Sequence, residues 1–453
     1  MSLISKKIPV YIVTFGFLAG IIGFCANIGM NGEKWAFYPT NKHVYTNGQL
    51  TDIGDITDRT GKTLATTKDG QRVYNSNAAI RKSTLHVVGD RKGYISTGAQ
   101  YALRDKLAGY DAINGFYGDN RNMKLTIDSA ISTAAMNALG KHDGCVLAYN
   151  YKTGEVLCMV STPTYDVDDP IDVKKAEDGT YTGAFVNRAI SSTYTPGSTF
   201  KIVTATAAID TLPDAYDKVF TCKRGTEIEG ETIKCEGKHN DVSLKKAFCV
   251  SCNAFFSQLT LTLGKSTMKK YAEVYGFNKS FSIDGIKTAT SSYNADDARN
   301  IDFGWSGIGQ YTNQMNPIQY LTMVGAIANG GAYANPYFVS SITSQSGKTV
   351  YSAKTKTTRI ISSETANQLA DLMRYAVTDN YGSGKFGGLD VCGKTGTAET
   401  GKDKDDSVFV GFCRDDDLPI AFVCVVEKGG AGRTAALTAA SKTLAAAKKS
   451  LSS

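Results

Sequence analysis

The chain has 453 residues, 42% of them hydrophobic, and a formal net charge of +7 from 50 Lys and Arg against 43 Asp and Glu. That length allows about two domains beyond any anchor, and the composition is that of a folded protein rather than a disordered one. The positive charge is spread out, which suits a surface facing anionic polymers, and the lack of any Lys/Arg block argues against nucleic acid as a partner.

Lys6 and Lys7 precede an uncharged apolar stretch, Ile8 to Gly32, and the next charge is Glu33. About 20 apolar residues span a bilayer. Two lysines before the stretch, against one lysine, Lys34, beside Glu33 after it, place the N-terminus inside. A cleaved signal peptide is the rival reading. The stretch is long, however, and lacks a small-x-small site before Trp35, and Cys25 follows Phe24, which does not suit lipoprotein cleavage. The expectation is a cytoplasmic segment 1–7, a single-pass membrane anchor 8–30, and an extracytoplasmic remainder. Gly16 and Gly20 form a GxxxG that could pack against another helix.

Residues 31–123 are polar, rich in Gly and Tyr and short on helical periodicity, which predicts a small β-rich domain. Within it, Asp58 to Ala65 reads as a turn between two strands. The larger domain, 124–453, opens at Leu125-Thr126-Ile127-Asp128. Ser129 to Leu139 has helical spacing, and Gly144 to Tyr149 and Glu155 to Val160 read as strands. Lys152-Thr153-Gly154 falls between them, where a hairpin turn belongs.

Thr195-Pro196-Gly197-Ser198-Thr199-Phe200-Lys201 follows a long loop and leads into the apolar run Ile202 to Ile209. Pro and Gly end one segment, so Ser198 stands in the first turn of a helix. Residues three apart on a helix share a face, which puts Lys201 beside the Ser198 hydroxyl. A serine needs a neighbour to take its proton, and an amine can do so once desolvation lowers its pKa. The helix start also offers unpaired N–H groups to an oxyanion. Ser-x-x-Lys alone is weak, because at ordinary usage about two such pairs arise by chance in a chain this long. Ser243/Lys246 and Ser266/Lys269 are such pairs, and neither follows a Pro-Gly break into an apolar helix.

Cys222 to Asp241 is polar and turn-rich. Ten cysteines in an exported chain make a disulfide possible, and Cys222 with Cys235 is the best candidate pair. A zinc reading would take His239 as a third ligand. With four histidines in all, no metal and no cofactor are expected. The other cysteines, apart from Cys25 in the anchor, read as core. Ser243 to Gly264 is helical and carries Ser251-Cys252-Asn253. Residues two apart do not share a helical face, so this tripeptide belongs at a turn between helices.

Pro317 to Gly330 reads as a buried helix with Pro in its first turn and Gly near its end. Glu364 to Thr378 is another helix. Lys394-Thr395-Gly396-Thr397-Ala398-Glu399 then begins the late strands. Val408 to Cys413 and Ile420 to Val426 pair as a hairpin across Asp415-Asp416-Asp417, and the Ala-rich Thr434 to Lys448 closes the domain as a helix.

S-x-x-K, then S-x-N, then K-T-G, in that order, is the motif set of penicillin-binding proteins and class A β-lactamases. Taken with Asp58 to Ala65, Leu125 to Asp128, Asn187-Arg188-Ala189, the block from Gly307-Ile308-Gly309-Gln310 through Asn316-Pro317 to Asn329-Gly330, and Val408 to Phe412, the chain resembles a class B penicillin-binding protein. Two positions depart from the family pattern: Asn316 stands where the family has Thr, and Val408 where it has Trp.

The resemblance implies an α+β fold. A transpeptidase domain with a five-stranded antiparallel sheet covered by helices would follow a pedestal domain and one transmembrane helix. It also implies a D,D-transpeptidase that cross-links peptidoglycan stem peptides. Ser198 is the nucleophile and Lys201 the base, Ser251 relays a proton, Asn253 orients the substrate, and Lys394, Thr395, Gly396 and Thr397 bind its carboxylate. Backbone N–H groups of Ser198 and Thr397 would form the oxyanion hole. β-Lactams would acylate Ser198, and a membrane glycosyltransferase and division or elongation proteins are the implied partners. A β-lactamase or a catalytically silent scaffold would share the motifs.

Overall fold

The computed structural model describes residues 3–38, 45–46, 49–50, 53–111, 115–116, 120–174, 179, 182–399 and 405–452. One helix, Leu3–Ala36, opens the chain. Its segment Lys7–Gly32 is long and apolar enough to cross a bilayer, and residues 7–27 of it are exposed. Its length and apolarity match the thickness of a bilayer.

The first sheet has six strands, in the order Thr349–Ser352, Val339–Thr343, Asn122–Leu125, Ile56–Thr57, Thr63–Lys68, Gln71–Tyr74. The turn expected at Asp58 is present. Its carboxylate accepts hydrogen bonds from the Thr60 and Lys62 amides, both at 2.9 Å, and from Ser129 Oγ at 2.7 Å, which ties the turn to helix Ser129–Leu139.

Two features differ from the sequence reading. Helix Ala78–Val88, capped by Asn77, lies in the region read as β-rich, and its second half is buried. The sheet also draws strands from beyond residue 123: Ile342 stands opposite Met123 and Val339 opposite Leu125. Asn122–Leu125 alternates exposed and buried residues. It needs a partner along each edge, and the chain supplies one of them from more than 200 residues later.

The second sheet is antiparallel, in the order Val156–Thr162, Gly144–Asn150, Ile420–Val426, Asp406–Cys413, Val391–Ala398. Its strands are buried along nearly their whole length, which apolar runs permit only when both faces are covered. Helices Ser129–Leu139 and Ala435–Leu451 pack together on this sheet, and Pro317–Ala328 and Ser363–Ala376 pack on it too. The turn at Lys152-Thr153-Gly154 forms as expected, with Gly154 at φ +91° and the Asn150 side chain accepting from the Lys152 and Thr153 amides.

Asn316 caps helix Pro317–Ala328. Its amide nitrogen also reaches the carbonyls of Ala189, Ile190 and Ser192 at 3.0 to 3.2 Å. A threonine hydroxyl has one donor and could not hold that segment in the same way. The same segment is fixed by Arg188, which is 7% exposed. Arg188 donates to Glu427 at 2.7 Å and to the Gly183 carbonyl at 3.1 Å, while Tyr194 Oη donates to the same Glu427 oxygen at 2.9 Å. The Arg188 and Glu427 side chains are 9% and 29% exposed, and removing one leaves the other without its counter-charge in a partly buried place. Arg188→Ala is therefore expected to cost about 3 kcal/mol of stability, read as a lower unfolding midpoint in denaturant. An unchanged midpoint would show that the pair is solvated in solution.

Candidate active site

Ser198 lies in the 3-10 turn Gly197–Phe200, which runs directly into the buried helix Lys201–Thr211. Gly197 takes φ +52°, and a Cβ there would stand 2.4 Å from the Thr397 carbonyl oxygen. Only glycine lets the nucleophile turn sit this close to the strand Val391–Ala398, which carries Lys394-Thr395-Gly396-Thr397. That strand is an edge of the five-stranded sheet, so one side of its backbone is open to the cleft.

Lys201 is fully buried. Its Nζ lies 2.8 Å from the Ser251 carbonyl oxygen, 2.6 Å from Asn253 Oδ1, 3.0 Å from Ser198 Oγ and 3.1 Å from Ser251 Oγ. A neutral amine has two N–H donors and one lone pair. The two carbonyl-type oxygens can only accept, so they take the donors and leave the lone pair for a hydroxyl. Burial, with the nearby Lys394 second, pushes the Lys201 pKa well below that of a free lysine, and the neutral form is favoured.

Lys394 is equally buried but has different neighbours. Its Nζ donates to Ser251 Oγ at 3.0 Å, to the Thr395 carbonyl at 3.0 Å and to Tyr381 Oη at 3.4 Å. Three acceptors match the three donors of an ammonium. Burial lowers this lysine too, to about 7, and an incoming carboxylate would raise it again. Ser251 Oγ thus bridges the two amines. Its backbone has φ +56°, between helices Leu244–Cys249 and Asn253–Leu263, the helix-to-helix turn expected for this tripeptide.

Ser198, Ser251, Asn253, Thr395 and Thr397 all line one cleft, with Arg433 at its rim. Thr395 is 7% exposed, and Thr397 Oγ1 accepts from the Gly432 amide at 3.2 Å. Gly396 packs against the nucleophile turn, where a Cβ would lie 2.8 Å from the Pro196 oxygen. Cys222 and Cys235 are both free thiols. Cys235 lines this cleft together with His239, and buried Cys222 is grouped with them and with Cys252.

The description penicillin binding protein transpeptidase domain fits residues 144–448. The chain belongs to this family. It is 30% identical over 375 residues to peptidoglycan D,D-transpeptidase PbpA of Mycolicibacterium smegmatis, covering 75% of this chain and 76% of that protein. It is also 30% identical to stage V sporulation protein D of Bacillus subtilis, over 68% of this chain and 50% of that one. Among solved structures, the D,D-transpeptidase domain of a peptidoglycan glycosyltransferase from Eggerthella lenta superposes with a TM-score of 0.78 at 28% identity. That match covers 88% of this chain and 99% of that one. The ceftriaxone acyl-enzyme complex of penicillin-binding protein A from M. tuberculosis gives 0.76 at 26% identity, covering 87% and 98%.

Members of this family are recognised by three short motifs, but other residues complete the site here. Tyr381, at the end of the helical segment after Ser363–Ala376, touches Lys394 and the Thr395 amide. Gly309, where a Cβ would sit 2.0 Å from the Gly197 oxygen, accepts the Gly197 amide at 2.9 Å. No local pattern marks Tyr381, whereas Gly309 lies in a stretch singled out by sequence.

Proposed function

We propose that this chain is a membrane-anchored peptidoglycan D,D-transpeptidase in which Ser198 carries the acyl group. The observation that carries the reading is the buried Lys201 amine, whose lone pair is left for the Ser198 hydroxyl 3.0 Å away. Lys201 takes the hydroxyl proton as Ser198 Oγ attacks the penultimate D-alanyl carbonyl of a stem peptide. The tetrahedral oxyanion is held by the Ser198 and Thr397 amides. The C–N bond then breaks, and the proton passes through Ser251 to the leaving D-alanine amine.

Asn253 orients the substrate amide, and Lys394, Thr395 and Thr397 hold its terminal carboxylate, with Gly396 leaving room beside them. An amine from a second stem peptide attacks the ester, gives its proton back through Ser251 and Lys201, and frees Ser198 with the cross-link made. A β-lactam presents a strained amide in the same place and leaves a stable acyl-serine. Lys6 and Lys7 before the anchor support an N-terminus inside and a catalytic domain outside. A membrane glycosyltransferase that makes the glycan strands, together with division or elongation proteins, is the partner set this placement calls for.

Labelling the full chain in detergent with a fluorescent penicillin tests the assignment. A label retained for hours and absent from Ser198→Ala is expected. A label released within minutes would indicate hydrolysis of the β-lactam instead, and none at all would remove the acyl-transfer reading.

A further inference from the structure

The nucleophile, its base and the carboxylate site account for one side of the cleft. The wall opposite is a small lobe, residues 219–243, built from two two-stranded sheets, Val219–Cys222 with Asn240–Ser243 and Gly225–Ile228 with Glu231–Lys234. Four of its apolar side chains, Cys222, Ile228, Ile233 and Val242, are buried. A lobe this small has too little core to hold itself in place, and proteins commonly fasten such a unit with a disulfide or a metal.

We propose that Cys222, Cys235, His239 and Cys252 form a tetrahedral zinc site that fastens this lobe to the Ser251-Cys252-Asn253 turn. Their ligand atoms all lie within 4.8 Å of one another. Cys235 Sγ is 3.9 Å from Cys252 Sγ, and Cys222 Sγ is 3.5 Å from His239 Nδ1. Zinc at about 2.3 Å from sulfur and about 2.0 Å from nitrogen requires tetrahedral edges of about 3.8 Å for S–S and about 3.5 Å for S–N. The measured separations fit those edges.

The surroundings suit thiolates as well. The Ala254 amide donates to Cys235 Sγ at 3.2 Å and the Phe255 amide to Cys252 Sγ at 3.5 Å, the outer-shell bonding that orients metal-bound sulfur. Both amides belong to the first turn of helix Asn253–Leu263, whose positive end favours the negative sulfurs. Three thiolates with one imidazole select zinc over hard cations. A Cys222–Cys235 disulfide would use two of the four groups and leave His239 and the fully buried Cys252 without a role.

Four protein ligands close the coordination sphere, so the ion is structural, with no open position for a catalytic water. Its effect on the reaction runs through position. Cys252 stands between Ser251 and Asn253, and Asn253 Nδ2 donates to the Lys234 carbonyl of the lobe at 2.8 Å. Fixing Cys252 therefore fixes both neighbours against Lys201. The assignment stands on its own geometry, whether or not Ser198 is acylated.

The test uses the full chain, purified in detergent under reducing conditions without chelator, and reads metal content by mass spectrometry. One zinc per chain is expected. Exchange for Co2+ should give thiolate-to-cobalt charge transfer and the d–d bands of a tetrahedral site. His239→Ala and Cys252→Ala should each weaken binding by more than about tenfold, whereas Cys25→Ser, in the anchor helix, should keep the metal.

The unaltered protein gives a second readout, in case a variant fails to fold. Zinc should protect Cys222, Cys235 and Cys252 from alkylation, and a strong chelator should expose all three and lower the melting temperature. No zinc taken up by the reduced protein, a Cys222–Cys235 disulfide in the isolated protein, or zinc retained in full by Cys252→Ala would each overturn the assignment.

Discussion

Lys201→Ala should slow acylation of Ser198 by a penicillin roughly 10²- to 10⁴-fold, the usual share of a positioned general base. The side chain is short of alternatives. Lys394 Nζ contacts Ser251 Oγ, Tyr381 Oη and the Thr395 carbonyl, so it cannot substitute. The pH profile of the unaltered chain should carry the same signature. A base works when unprotonated, so the rate rises as pH climbs through the Lys201 pKa and levels off above it.

Because burial holds that pKa well below 10.5, the acid limb should lie far under the range of a free lysine. Lys394, lowered to about 7 by burial, acts as a cation, and its loss of charge above that pH should weaken capture of the ligand's carboxylate. The second-order rate constant should therefore be bell-shaped in pH. Stopped-flow acylation across pH checks both limbs. A rate in Lys201→Ala within a factor of a few of the parent would remove Lys201 from the mechanism.

Gly197→Ala should be nearly as damaging without touching a reacting group. The added Cβ would meet the Thr397 carbonyl at 2.4 Å in a backbone at φ +52°, a conformation that costs an L-residue about 1–2 kcal/mol. Relief requires the Ser198 turn to back away from the strand that carries Lys394-Thr395-Gly396-Thr397. A displacement near 1 Å between reacting groups lowers rates by about 10²-fold. The expected result is a folded chain with a small drop in melting temperature and acylation slowed by about that factor. Gly309→Ala, whose Cβ would press on the Gly197 oxygen from the other side, should behave alike. A parental rate in both variants would mean the turn tolerates the shift.

The placement of the site residues was legible in sequence wherever it depends on short spacing. Ser198 and Lys201 are three residues apart on one helical face, and Ser251 and Asn253, which could not share a face, sit at the turn that this implies. The strands carrying Lys394 and pairing Val408–Cys413 with Ile420–Val426 were readable because their apolar runs are long and covered on both sides. What was not legible depends on distance. Helix Ala78–Val88 leaves Ala78, Ala79 and Ile80 outside its buried half and buries Ser83, Thr84 and His86, so its periodicity is weak. Val339–Thr343 pairs with a strand far upstream, and no local pattern announces that. Cys252 joins Cys222, Cys235 and His239 only once the lobe folds back on the helix start. Tyr381 reaches Lys394 from a separate helical segment.

The six-stranded sheet also sets an order of events for a growing chain. Thr126 Oγ1 donates to the Tyr337 carbonyl across 211 residues of sequence, and the strands beside these residues pair in the same region. Contacts of such separation form late and slowly, since a long loop must close before they reward it. The six-stranded sheet therefore cannot be finished when its first strands leave the ribosome. Asn122–Leu125 waits with one edge unpaired until residue 343 has been made, through the synthesis of the entire catalytic helix block. During that interval the exposed edge invites pairing with a neighbouring chain. Full-length yield should then be most sensitive to anything that delays the last third of the protein.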